Sequence, residues 1–202
     1  MSITSVENLK NQVKISSAKL EHDVHVERLY KIINAAYRSD KGWTHEAHLV
    51  KEDRITIPEL KELIADVEHK HGHLLLAFLP ADSTPVLNPT DAERALGEVV
   101  VGSIQIEPSP RGEDECLIGL LAVDPALQSL GIGSRLMRSA IDFARDILKK
   151  KHAAVWVLNQ RPEVHSWYSR LGFEKTGEQL EFVNPQNLKD KETHMIVMRR
   201  TF

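Results

Sequence analysis

Apolar residues along the chain fall into two rhythms, one helical and one extended. Val26, Leu29, Ile33, Ala36 and Tyr37 recur at helical spacing, with Asp23 placed to cap the first turn. Thr56-Ile57-Pro58-Glu59 reads as a capping box, in which the hydroxyl accepts a backbone amide and the carboxylate reaches back. Leu60, Leu63, Ile64 and Val67 supply the stripe of a second helix, and Gly72 is suited to end it. Leu136, Met137, Ala140, Ile141, Ala144, Ile147 and Leu148 predict another helix, with Lys149, Lys150 and Lys151 at the end where the macrodipole is negative. Pro162 and Glu163 open a last one, with Val164, Trp167, Tyr168 and Leu171 on one face and Gly172 as its stop.

Between these lie seven predicted strands: "NQVKISSA" (11–18), "HLLLAFLP" (73–80), "LGEVVVGSIQIEP" (96–108), "CLIGLLAV" (116–123), "AAVWVLN" (153–159), "LEFV" (180–183) and "HMIVMRR" (194–200). The turn-rich "ADSTPVLNPTDAE" (81–93) reads as an exposed loop. The order β-α-α-β-β-β-α-β-α-β-β predicts a mixed α/β layer fold. "CLIGLLAV" and "AAVWVLN" lack polar alternation, so both are expected to be central, covered on both faces, and parallel across the helix that joins them. No repeat, low-complexity tract or composition shift divides the chain. One domain over 1–202 is expected, its core about 11–200.

Composition narrows the classes. A net charge of −3 points to neither nucleic acid nor an anionic membrane. The lone cysteine, Cys116, sits in an apolar run, which excludes an intrachain disulfide and suits a reducing compartment. "MSITSVENLK" has no apolar leader core and no apolar run is long enough to span a bilayer, so a soluble, cytoplasmic protein is expected. The histidines of "EHKHGHLL" cluster at a helix end and read as a solvated face; no metal is called for.

Chemistry concentrates at Gly131-Ile132-Gly133, between a buried strand and a helix. A helix start leaves backbone amides without partners, and glycines let a ligand approach them. Alone, the pair has two readings, a tight turn or an anion socket. The lysine of a Walker loop and the third glycine of a dinucleotide fingerprint are both missing.

The wider string "VDPALQSLGIGSRLM" (123–137) resembles the acyl-CoA pyrophosphate loop of the GCN5-related N-acetyltransferase (GNAT) family, Gln/Arg-x-x-Gly-x-Gly/Ala. Gln128 through Gly133 match every fixed position, and "WYSRLGF" (167–173) resembles the family's aromatic-Tyr-x-x-Leu-Gly-Phe segment. "GWTHEAHLVKEDRIT" (42–56) resembles a little-characterised microbial branch. The resemblance implies a GNAT-like fold and an acetyl-CoA-dependent N-acetyltransferase acting on a primary amine of a small molecule or peptide. It implies a pyrophosphate held by the backbone of Ser129, Leu130, Gly131, Ile132, Gly133 and Ser134 behind Gln128. By the same resemblance the main chain of Leu121, Ala122 and Val123 pairs with the pantetheine amides, Asn159 contacts the cofactor arm, and Tyr168 is the general acid. Homodimers that pair C-terminal strands are common in that family.

Three assignments stay open on the residues themselves. Tyr168 is either the acid or a core residue beside Val164 and Leu171. Glu98 is either the base or an ordinary strand-end carboxylate; strand parity would set it on one face with Val100, Ile104 and Ile106. Tyr37, Trp43, Thr44 and Glu46 either contact a cationic acceptor or pin a long loop. The alternative to an enzyme is a non-catalytic acyl-CoA-binding module, kept open by the unsettled base.

Overall fold

The computed structural model describes residues 9, 11–40, 42–66, 69–83 and 87–202. In chain order the elements are β1 (Lys14–Ser17), α1 (Val26–Arg38), α2 (Ile57–Ala65), β2 (His73–Pro80), α3 (Asp91–Leu96), β3 (Glu98–Pro108), β4 (Glu115–Val123), α4 (Ile132–Asp142), β5 (His152–Leu158), α5 (Pro162–Arg170), β6 (Glu174–Leu180) and β7 (Met195–Thr201). The strands form one mixed sheet ordered β1-β2-β3-β4-β5-β7-β6, in which β4 and β5 are the parallel pair.

Helices cover both faces. Leu29, Ile33 and Leu60 of α1 and α2 pack with Leu76, Phe78, Val100 and Leu120 on one face. On the other, Leu136, Met137 and Ala140 of α4 pack with Ile104, Ile106, Ile118 and Val155. A third cluster, Leu49, Val50 and Leu158 with Phe182 and Met195, seats the long α1–α2 connection over the far end of the sheet. Burying one such leucine or isoleucine contributes about 1.5–3 kcal/mol, so the layers are held mainly by these stripes.

Local chemistry explains most boundaries. Thr56 and Glu59 form the expected capping box at α2. Past α4 the chain widens through Phe143–Ile147 into a π-type turn, closed by the Leu148 amide on the Phe143 carbonyl at 3.0 Å. Cys116 is buried, and burial pushes its thiol up to about 11. Among the described residues no helix is long and apolar enough to cross a membrane.

Several expectations are corrected. Asp23 does not cap α1: residues Leu20–His25 form a 3-10 turn and His25 occupies the cap position without a side-chain bond. Gly72 does not end α2, which stops at Ala65. It sits instead at φ +99° in the turn before β2, where a Cβ would come within 2.2 Å of the Ile106 carbonyl oxygen. The "exposed loop" runs into α3, opened by a second capping box of Thr90 and Glu93. The sixth strand is Glu174–Leu180 rather than "LEFV"; its side chains are almost all exposed, so no apolar alternation marks it. His73, expected among solvated histidines, packs 4.8 Å from the Phe143 ring centroid and is lowered by burial.

Parity along β3 also fails, because of bulges. One step on β2 (Ala77 to Phe78) faces two on β3 (Gly102 to Val100), so Val100 packs under α1 while Ile104 and Ile106 pack under α4. Two steps on β3 (Ser103 to Gln105) face three on β4 (Ala122 to Gly119), and Leu120 takes φ +49° there. This second bulge lies beside the candidate site.

Candidate functional site

The parallel pairing of β4 with β5 is short. Registered partners run only from Glu115–His152 to Leu117–Ala154; beyond that, β5 continues with β7 alone. The rest of β4 keeps its β3 side bonded and turns its other edge to an opening. A cavity of about 420 Å³ fills that opening, and Leu121, Ala122 and Val123 line it.

The chain leaves β4 through a 3-10 turn at Pro125–Leu127, capped by the Asp124 carboxylate on the Ala126 amide at 2.9 Å. Two left-handed residues follow, Ser129 at φ +65° and Gly131 at φ +80°. Gly131 is the cap residue of α4 and offers no side chain to its first turn. The first bond closing the helix runs from the Arg135 amide to the Gly131 carbonyl at 3.0 Å. The amides of Ile132, Gly133 and Ser134 therefore start a helix whose dipole adds partial positive charge, and all three residues line the cavity. Among the described residues nothing lies within 4 Å of where a Cβ on Gly131 would stand, so the approach to these amides is open. Ser129, a non-glycine residue held at positive φ, completes a concave run of main chain suited to anions.

The opposite wall comes from α1, the α1–α2 connection and α5. Tyr37, Trp43, Thr44, Arg161, Trp167 and Arg170 line it. Gln128 ties this wall to the glycine turn: its Oε1 accepts the Trp43 amide at 2.5 Å and its Nε2 donates to the Val123 carbonyl at 3.2 Å. Arg161, 8% exposed, ties it to α5 by donating to Thr44 Oγ1 at 3.0 Å and Glu46 Oε2 at 3.2 Å. Thr44 in turn donates to Glu163 at 2.5 Å. Glu46 is also paired with Arg38, so two guanidinium groups hold its buried carboxylate.

Of the residues singled out in the sequence, Leu121, Ala122, Val123, Gln128, Ser129, Gly131, Ile132, Gly133, Ser134, Tyr37, Trp43 and Thr44 are brought together around this one cavity. Leu130 turns toward the α4-side core instead. Asn159 lies apart, with its side chain accepting the His194 amide at 3.2 Å and donating to the Glu192 carbonyl at 3.4 Å. Glu46 is committed to arginines. Glu98 stands away from the cavity, 3.5 Å from His22 and 3.7 Å from Lys14. Tyr168 is buried, 9% exposed, with its ring packed against Trp167 and Phe173. Burial pushes its hydroxyl up, the nearby Tyr37 adds to that and Arg161 opposes it. Both of those neighbours are on the cavity wall. Arg161, Trp167 and Arg170 were not singled out as site residues; Pro162 marks a helix start, but no local pattern tells which side chain before it turns inward.

A family model described as "Acetyltransferase (GNAT) family" matches residues 26–173. Solved structures of like fold include a chimera of spermidine N-acetyltransferase SpeG from Vibrio cholerae and hSSAT, 14% identical, TM-score 0.62, covering 94% of this chain and 95% of that one. Others are yncA from Salmonella typhimurium with its cofactor acetyl-CoA (16%, 0.63, 94% and 93%) and Ard1 from Thermoplasma volcanium (18%, 0.63, 94% and 97%). At these identities the likeness is one of fold. No curated protein matches the chain.

Proposed function

Because the chain belongs to the GNAT acetyltransferase family, we propose that it moves the acetyl group of acetyl-CoA to a primary amine. The observation that carries this reading is the turn from Ser129 to Ser134, whose uncapped amides open onto the cavity beside the unpaired edge of β4. The donor set fits the co-substrate. Main-chain N–H groups at a helix start suit a diphosphate, and the edge of Leu121–Val123 offers the amides and carbonyls that a pantetheine arm would pair with as an added strand. No side-chain cation has to supply the anion site, which agrees with Ser134 standing where a phosphate-binding lysine would otherwise be expected.

In this reading Tyr168 supplies a proton to the departing thiolate. Its raised pKa keeps the phenol protonated throughout the working range, so the acid is always loaded. The same shift makes transfer to a thiolate of ordinary pKa, about 8.5, uphill, and donation then depends on close contact at the moment the C–S bond breaks. Trp43 and Thr44, held by Gln128 and Arg161, fix the wall against which the transferred group is presented. Incubating the protein with acetyl-CoA and a panel of primary amines, with thiol release as the readout, tests the function. Amine-dependent release is expected. CoA binding with no release for any amine would favour the non-catalytic acyl-CoA-binding module instead.

A further inference from the structure

We propose that Glu107 of β3 is the general base of this transfer, and that the acceptor amine reaches it through a second cavity on the α2 side of the sheet. The inference rests on the acetyl-transfer reading and assigns a residue to it.

The second cavity, about 520 Å³, lies between α2, the turn before β2 and the C-terminal end of β3. Leu120 lines it, whereas the next residue, Leu121, lines the cleft that opens between β4 and β5. Successive residues of a strand face opposite sides of the sheet, so the two cavities back onto one stretch of β4, where the bulge holds Leu120 at φ +49°. Glu107 lies on the wall of the second cavity, and its Oε1 is 3.4 Å from where a Cβ of Gly119 would stand. A carboxylate thus overlies β4 one residue from the bulge, and glycine leaves the space beside it clear.

Other carboxylates near the sheet are already committed. Glu46 is held by Arg38 and Arg161, Glu93 by Arg28, Glu98 by Lys14 and His22, and Glu115 by Arg199. Among the described residues Glu107 makes no ion pair. Burial raises its pKa, against a weaker pull from Arg54. The charged and titratable groups that face it across the cavity are Arg54 ahead of α2, Glu59 and Glu62 of α2, Lys70 and His71. Glu59 is itself occupied by the Thr56 cap, at 2.7 Å to the amide and 2.6 Å to the hydroxyl. A carboxylate kept above its ordinary range and free of a cation is a better proton acceptor for an ammonium group.

One N–H proton of the ammonium passes to Glu107, giving neutral amine and a carboxylic acid. The nitrogen lone pair forms the N–C bond to the acyl carbon as the C–S bond breaks. Tyr168 gives its proton to the departing thiolate, the second nitrogen proton passes to water as the amide forms, water reprotonates the Tyr168 phenolate, and Glu107 returns its own proton to water.

The test uses the whole protein, acetyl-CoA and whichever primary amine of the panel turns over fastest. Glu107→Gln should lower kcat about 10²-fold at neutral pH while CoA affinity by calorimetry stays within about twofold, as expected when an interaction used only in the chemical step is removed. The acid limb of the wild-type pH–rate profile should disappear, replaced by a rise that follows the free amine, and Glu107→Asp should restore part of the rate and the limb. A wild-type rate and profile in Glu107→Gln would overturn the assignment, as would a loss of rate matched by equal loss of CoA affinity and melting temperature. If Glu107→Gln does not fold, Glu107→Asp decides: an unchanged kcat and pH limb there overturns it. Absence of turnover by the wild type with every amine would sink the underlying reading, a result distinct from turnover that ignores Glu107.

Discussion

Replacing Glu93 by glutamine perturbs the position of α1, the helix that carries Tyr37 to the cavity wall. Glu93 is 1% exposed, and its carboxylate receives Arg28 Nε at 2.6 Å, Arg28 Nη2 at 2.9 Å and the Thr90 amide at 2.8 Å, with His25 Nδ1 at 3.3 Å. Burial alone would raise this carboxyl, but Arg28 and Thr90 outweigh it and hold it at about 2, against an ordinary 4.5. That gap corresponds to about 3 kcal/mol of stability at pH 7. The sign follows from the depressed value: the contribution is complete above the unfolded pKa and is lost as pH falls through the folded one. About 2 kcal/mol should remain at pH 3.5. Glu93→Gln should therefore cost about 3 kcal/mol at pH 7, near the range for breaking a buried pair, or about 6–12 °C in melting temperature. The penalty should shrink by about 1 kcal/mol by pH 3.5. His22 and His25, both lowered by burial, weaken the fold in either protein as pH falls below their unfolded range. Urea unfolding of wild type and variant at pH 7, 5 and 3.5 gives the comparison. A penalty that stays constant across that range would refute the reasoning, since it would mean that the charge on Glu93 is not what stabilises α1.

Two further outcomes follow from the site. Tyr168→Phe should lower kcat by about 10²-fold with little change in CoA affinity, and an unchanged kcat in a thiol-release assay would remove the phenol from the chemistry. Gly131→Val places a branched Cβ at φ +80°, costs about 1–2 kcal/mol of backbone strain, and puts side-chain atoms in the open space over the α4 amides; calorimetry should show CoA affinity falling at least tenfold, whereas retained affinity would say that the turn is not the binding surface.

The buried, uninterrupted parts of the fold were the legible ones. β2 runs from His73 to Pro80 as the apolar run predicts, and β4, β5 and α4 follow their apolar stripes. Edge and polar elements were not. β6 is an edge strand with exposed side chains, so its pattern carries no period-2 signal, and α3 hides in a string of turn residues although Thr90 and Glu93 spell its cap. The glycine turn was readable because main-chain amides need only small residues in fixed order. The wall opposite it was less so, since burying Arg161 depends on Thr44 and Glu46, more than a hundred residues earlier. Bulges are invisible to strand parity, which is why Val100 does not share a face with Ile104 and Ile106 as the alternation along β3 predicts.

The central claim is that backbone amides at the start of α4 hold the diphosphate of acetyl-CoA. Backbone amide chemical shifts recorded during a CoA titration test it directly. The largest changes are expected at Gly131, Ile132, Gly133 and Ser134, saturating together with changes at Leu121 to Val123. Saturable CoA binding that leaves those amides unmoved would contradict it.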